Sequence, residues 1–202
     1  MTKGLLLIVS GPAGSGKGTV NSLLLAREDF VYSVSATTRS PRPGELNGVN
    51  YHFISREEFA ESLASGDMLE YTEYCGNFYG TPKRRALEIL ESGKNLILEI
   101  EVDGARQVKE KFPDAVLIML LPPSFSTQEA RLRGRATETE EKIKARLART
   151  REELCDLDIY DYIVYNLDGR AADAAEDILA IVRAEKLATG RNPDAERKYF
   201  EN

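Results

Sequence analysis

Gly11-Pro12-Ala13-Gly14-Ser15-Gly16-Lys17 is the first stretch of the chain whose residue types and spacing could do chemistry. It follows the apolar run Leu5–Ser10 and precedes a helical pattern, so G-x-x-x-x-G-K sits in the strand–turn–helix context that a phosphate-cradling loop needs. The glycines let the backbone curl until consecutive N–H groups face one phosphate. The helix N-terminus adds a favourable dipole, and Lys17 brings a positive charge to the outer phosphate oxygens. Gly18 stands where Ser or Thr usually holds magnesium, with Thr19 next.

Three further groups carry charge at telling spacings. Arg39 and Arg42 lie three apart in a proline-stiffened loop, where two planar guanidinium groups can converge on one phosphate, with the Tyr51 hydroxyl beside them. Leu96-Ile97-Leu98-Glu99-Ile100-Glu101 ends an apolar run with two carboxylates, which strand alternation would put on the same side. Residues 128–151 set eight Lys and Arg against four Glu, a net +4 in a chain of net −6. Most of that run reads as a solvated helix face, but Arg131 and Arg135 are i,i+4 neighbours and Arg146 lies one helix later.

The stretch from Thr37 to Phe53 makes a family visible. Thr37-Thr38-Arg39, Arg42, Glu45, Gly48, Tyr51 and Phe53 match T-[ST]-R-x2-[KR]-x2-[DE]-x2-[GA]-x2-Y-x-[FY] at every fixed position. The chain thereby resembles the guanylate kinases, over about residues 4 to 188, and Gly-Lys-Gly-Thr is the loop form common in nucleoside monophosphate kinases. The resemblance implies transfer of the γ-phosphoryl group of ATP to GMP or dGMP with Mg²⁺. It places Gly11, Pro12, Ala13, Gly14, Ser15, Gly16, Lys17, Gly18 and Thr19 around the ATP phosphates. Arg131 would lie near the adenine, with Arg135 and Arg146 on the transferring phosphates. Asn166 is either an adenine contact or a turn-forming residue. The GMP phosphate would meet Arg39, Arg42, Tyr51 and Tyr79. Guanine presents N–H donors where adenine presents a bare lone pair, so a carboxylate selects it by about 1–3 kcal/mol. The resemblance gives that role to Glu70, with Ser35 and Thr81 as hydroxyl partners. Glu99 and Glu101 would divide contact with GMP and assistance to the magnesium, their shares left open. The metal itself would be held through phosphates and water, with Thr19 and Glu101 as candidate protein groups. Lys17, Arg39, Arg135 and Arg146 carry the expected catalytic burden.

These groups need a scaffold, and the alternation of short apolar runs with helical stretches supplies an α/β one. Expected strands are Leu5–Ser10, Val31–Ser35, Leu69–Tyr74, Asn77–Gly80, Asn95–Ile100, Val116–Leu121 and Tyr162–Asn166. Expected helices run over 16–28, from the Ser55 capping box to Gly66, from a Thr81 N-cap to Gly93, and over 104–111, 127–134, 139–157 and 171–186. The pattern predicts a P-loop-type parallel five-stranded sheet flanked by helices. Residues 1–35, 94–126 and 152–202 would form the ATP-binding core, 36–93 an inserted GMP-binding domain and 127–151 a lid. The tail from Thr189 is polar and expected to fray.

Composition excludes several other classes. A net charge of −6 argues against a nucleic-acid binder. Cys75 and Cys155 lack metal-site spacing, and His52 is the only histidine, so neither a zinc site nor a Ser-His-Asp set is expected. Leu5–Val9 is too short for a signal peptide, and a cytoplasmic location is expected. The expected partners are ATP and GMP, with neither nucleic acid nor membrane, for a monomer or a homo-oligomer alike. A kinase for AMP, UMP or CMP would not explain the complete Thr37–Phe53 pattern. A binding module without turnover would not explain the intact loop and lid arginines. Replacing the loop lysine, Lys17→Met, is expected to lower kcat by about a hundredfold or more; full turnover in a steady-state assay would remove its role.

Overall fold

Every residue of β1 (Leu6–Ser10) is buried, because this strand has neighbours on both edges and helices on both faces. Residues 3–134 and 139–201 are described by the computed structural model. The chain continues through α1 (Lys17–Leu25) and β2 (Phe30–Tyr32) to β3 (Ala36–Thr37), β4 (His52–Phe53) and α2 (Arg56–Ala64). Next come β5 (Met68–Tyr74), β6 (Asn77–Pro82), α3 (Lys83–Glu91), β7 (Asn95–Leu98) and α4 (Val102–Lys111). The remainder is β8 (Val116–Leu121), α5 (Phe125–Gly134), α6 (Glu140–Glu153), β9 (Tyr162–Tyr165), α7 (Ala171–Leu187) and α8 (Ala195–Glu201).

Five strands form the expected parallel sheet in the order β2-β7-β1-β8-β9. Alternate residues of β1 feed two cores. Leu7 and Val9 pack with Val20 and Leu24 of α1 and Ile178 of α7 on one face, while Leu6 and Ile8 pack with Val108 of α4 and Leu90 of α3 on the other. A mixed sheet, β4-β3-β6-β5, stands apart with its own small core of Ala36, Phe59 and Met68. The Ser55 capping box is present in full. Glu58 N–H donates to Ser55 Oγ at 3.1 Å, and Ser55 N–H donates to Glu58 Oε2 at 2.7 Å.

Several boundaries differ from the sequence reading, each for a packing reason. β7 ends at Leu98, where its pairing with Ile8 ends, and Glu101 is already the N-cap of α4. Glu99 and Glu101 therefore lie on a connection, and strand alternation does not relate them. Thr81 lies inside β6 and Pro82 is the N-cap of α3, because the Thr81 hydroxyl is engaged elsewhere. The long charged helix stops at Glu153, and residues 154–159 tighten into a 3-10 turn. Part of the tail forms α8 in place of the expected frayed end, although its side chains stay exposed. No helix among the described residues is long and apolar enough to cross a membrane.

One close approach holds the second sheet together. A Cβ on Gly80 would lie 2.8 Å from the Glu70 carbonyl oxygen and 3.1 Å from the Phe59 ring. Gly80→Ala is expected to cost about 1–3 kcal/mol in a denaturant titration; an unchanged midpoint would contradict that packing.

Candidate active site

The parallel sheet delivers β1 and β7 side by side, and both release their chains at the same end. A cleft of about 600 Å³ opens there, walled by Gly11 and Lys17 from the glycine loop, Glu99 and Glu101 after β7, and Arg146 and Arg149 from α6. Gly11 and Gly16 have no room for side chains. A Cβ on Gly11 would lie 2.2 Å from the Leu120 carbonyl oxygen, and one on Gly16 2.2 Å from Asn166 Nδ2. Gly16 also has φ +90°, the left-handed region that glycine enters without strain. It caps α1 with no side-chain hydrogen bond, which leaves the first N–H groups of the helix for an anion. Lys17 Nζ donates to the Gly11 carbonyl oxygen at 2.5 Å, so the ammonium is held against the loop it serves.

Neighbouring elements fix the loop from behind. Gln128 Nε2, on α5, donates to the Ala13 carbonyl at 2.9 Å and to Thr150 Oγ1 on α6 at 2.7 Å. Asn166 Nδ2 donates to the Ser15 carbonyl at 2.8 Å. Arg131 forks onto Asp168, at 2.6 Å to Oδ1, and also donates to the Asn166 carbonyl at 2.8 Å and the Gly14 carbonyl at 3.2 Å. Thr19, Arg131 and Asn166 thus face a second hollow on the outer side of the loop, away from Lys17. The Ser15 hydroxyl is buried without a hydrogen-bond partner among the described residues.

The mixed sheet carries a second constellation. The Arg39 guanidinium forks onto Glu45 at 2.9 and 3.0 Å, and the Arg42 backbone N–H donates to Glu45 Oε2 at 2.7 Å. The Arg39 fork, then the Arg42 amide, hold the Glu45 carboxyl below its usual range, and Glu45 in turn raises Arg39. Arg39 sits 5.6 Å over the Tyr51 ring, which packs edge-on against Tyr79 at 5.9 Å. These side chains lie outside the wall of the main cleft, and the Arg42 side chain points to solvent.

Glu70 lies where β5 breaks register between Met68 and Tyr71. It is the only charged side chain buried among the described residues. Thr81 Oγ1 donates to Glu70 Oε1 at 2.7 Å, which is the engagement that keeps Thr81 from capping α3. Gln107 of α4 holds the bulged strand by both backbone groups of Tyr71, at 3.1 and 2.9 Å. Burial pushes the Glu70 carboxyl up from its usual value, while the Thr81 hydroxyl and the Lys111 charge pull it down. Such a buried carboxylate is costly unless something donates to it.

A phosphate loop, a bidentate arginine backed by two tyrosines, and a buried carboxylate on a separate sheet have a known counterpart. The guanylate kinase family model matches residues 3–184. A guanylate kinase from Lactobacillus acidophilus is 47% identical over 201 residues, 98% of each chain. One from Halalkalibacterium halodurans is 50% identical over 184 residues, 91% of this chain and 89% of that one. The crystal structure of guanylate kinase from Anaplasma phagocytophilum superposes with a TM-score of 0.71 at 34% identity, covering 95% of this chain and 90% of that one. The chain belongs to the guanylate kinase family.

Within the guanylate kinase framework the structure brings Gly11, Lys17, Glu99, Glu101 and Arg146 to one cleft and joins Glu70 to Thr81. Arg39, Tyr51 and Tyr79 form a group of their own, and Ser35 lies beside it, its carbonyl accepting from His52 N–H at 2.8 Å. Arg135 lies outside the described residues. Asn166 follows β9, and its side-chain amide braces the glycine loop. Sequence reasoning passed over Gln107, Gln128, Asn21 and Arg149. Asn21 Nδ2 donates to Glu99 Oε2 at 3.0 Å, from the buried face of α1. Arg149 follows Arg146 by three residues, a spacing that already puts the two on one helix face.

Glu70 gives a pH signature with a definite sign. Its folded value is raised, so the native state keeps the proton longer than the unfolded chain does, and stability falls as pH rises from the ordinary value of 4.5 through the raised one. Thermal unfolding should show the wild type losing stability over that window relative to Glu70→Gln; parallel curves would remove the buried charge from the account.

Proposed function

We propose that the two constellations hold the two substrates of the family reaction, ATP-dependent phosphorylation of GMP, with their phosphates facing across the cleft. The glycine loop from Gly11 to Thr19 takes the ATP phosphates, with Lys17 at the γ-phosphoryl group. The hollow beside Arg131 and Asn166 takes the adenosine end. Arg146 and Arg135 neutralise charge on the transferring group. Arg39, Arg42, Tyr51 and Tyr79 hold the GMP phosphate, and Arg39 leaves Glu45 for the more highly charged oxygen cluster. Glu70 reads the guanine edge, aided by Thr81 and Ser35. Residues 36–93 act as the GMP-binding domain, 127–151 as the lid, and the rest as the ATP-binding core. The burial of Glu70 carries this reading, because a fixed, desolvated acceptor gains most from the N–H donors that distinguish guanine.

The attacking atom is an oxygen of the GMP phosphate, which is already anionic, so the reaction calls for no general base. The chain's residues position two polyanions in line and cancel the charge that builds between them. Closure of lid and GMP domain over the cleft excludes water as a competing acceptor. The fit to Mg²⁺ rests on the donor set. Among the described residues no cluster of three His, Cys, Asp or Glu forms a metal cage, while Glu99 and Glu101 are hard oxygen donors facing the cleft. Magnesium would then be held by the nucleotide phosphates and water, with Glu101 or Glu99 accepting from that water. Bound, it supplies positive charge to the phosphate oxygens. Thr19 faces the outer hollow and is the weaker donor. A cytoplasmic setting is supported by Cys75 and Cys155, both free and exposed.

A coupled ADP-release assay across GMP, dGMP, AMP, CMP and UMP, with and without Mg²⁺, tests the assignment. The guanine nucleotides should be favoured, with metal-dependent turnover. Glu70→Gln should lower kcat/KM for GMP by roughly ten- to a hundredfold and leave ATP binding unchanged. Preference for another acceptor, or unaltered GMP kinetics in Glu70→Gln, would overturn it.

A further inference from the structure

Arg149 lies three residues beyond Arg146 on α6 and lines the same cleft as Gly11 and Lys17. Its guanidinium spans the mouth to Glu101 on the facing wall, with Nη2 2.5 Å from Oε2, and its Nε lies 3.2 Å from Glu153 Oε1. The Glu101 side chain is 69% exposed and that of Arg149 53%, so solvent screens the pair and it stabilises the fold little. Among the described residues lining this cleft, three cations, Lys17, Arg146 and Arg149, face three carboxylates, Glu99, Glu101 and Glu153. Without Arg149 this described lining is net negative, in a place proposed to accept phosphates. A guanidinium fork fits a phosphate as well as a carboxylate, and an incoming phosphate brings more charge than Glu101 does.

We propose that Arg149 is a further phosphate-binding arginine of the lid, stored on Glu101 in the empty enzyme and exchanged onto a phosphate oxygen when ATP binds. The exchange frees Glu101, at the N-cap of α4, to face the acceptor nucleotide or the waters of the metal. The inference rests on the nucleotide placement proposed above. A simple latch between lid and core would use the same ion pair but would have no part in the loaded state.

Four variants separate these roles: Arg149→Met, Arg149→Lys, Glu101→Gln and the double Arg149→Met/Glu101→Gln. For each, kcat is measured with ATP, Mg²⁺ and GMP, GMP affinity by calorimetry without ATP, and thermal midpoint without ligand. Arg149→Met should lower kcat by about ten- to a hundredfold, with Arg149→Lys recovering part of the loss. The same fold-loss should appear when Glu101 is already Gln, while GMP affinity without ATP stays within about twofold. A kcat for Arg149→Met near that of the wild type, or a double variant no slower than Glu101→Gln, would overturn the inference. Wild-type enzyme that turns over GMP while Arg149→Met matches it sinks this inference alone; wild-type enzyme inert toward GMP sinks the nucleotide placement with it.

Discussion

Phosphoryl transfer from ATP to GMP has to bring like charges together, and that repulsion is the constraint against which the structure is read. Two phosphate chains a few ångströms apart repel strongly once water is excluded, because the interaction scales inversely with the local dielectric. Cations placed in advance to cancel it would repel one another in the empty protein. The described structure offsets this by resting several cations on oxygen partners. Lys17 rests on the Gly11 carbonyl, Arg39 on Glu45, Arg131 on Asp168 and Arg149 on Glu101. Such partners hold the side chains near their working geometry, which reduces the ordering needed when nucleotides arrive.

Placement of those cations depends on uncharged contacts. The buried amide of Gln128 ties the glycine loop to α5 and, through Thr150, to α6, so the arginine-bearing helices are referenced to the loop they serve. Leu132, Ile143 and Leu147 pack against Ala13 beneath the same junction. On the other side, Gln107 links α4 to the bulge of β5, which sets Glu70 against Thr81. The buried Glu70 carboxylate and the glycine loop are thereby each tied by a glutamine amide to helices that flank the parallel sheet.

What the chain discloses before folding is what depends on near neighbours. The glycine loop, the Ser55 capping box and the arginine-bearing loop from Thr37 to Phe53 are legible because their partners lie within a few residues. The five-stranded order is legible because apolar runs alternate with helical ones. The end of β7 is set by its pairing with β1, some ninety residues away in sequence, so local alternation wrongly puts Glu99 and Glu101 on one strand face. Gln128 looks like an ordinary polar residue in a charged helix until Ala13, 115 positions away, arrives beside it. Thr81 has the form of an N-cap, yet a buried carboxylate outcompetes the helix for its hydroxyl. Arg149 shares a helix face with Arg146 by spacing, but a run of eight cations hides its place on the cleft wall.

Direct passage of the phosphoryl group from one bound nucleotide to the other is the claim on which this account stands. It can be read from stereochemistry, using ATP made chiral at the γ-phosphorus with sulfur and oxygen isotopes and GMP as acceptor. A single in-line displacement predicts inverted configuration at phosphorus in the GDP formed. Retention would mean that the group stops on the protein on its way, and would contradict the account.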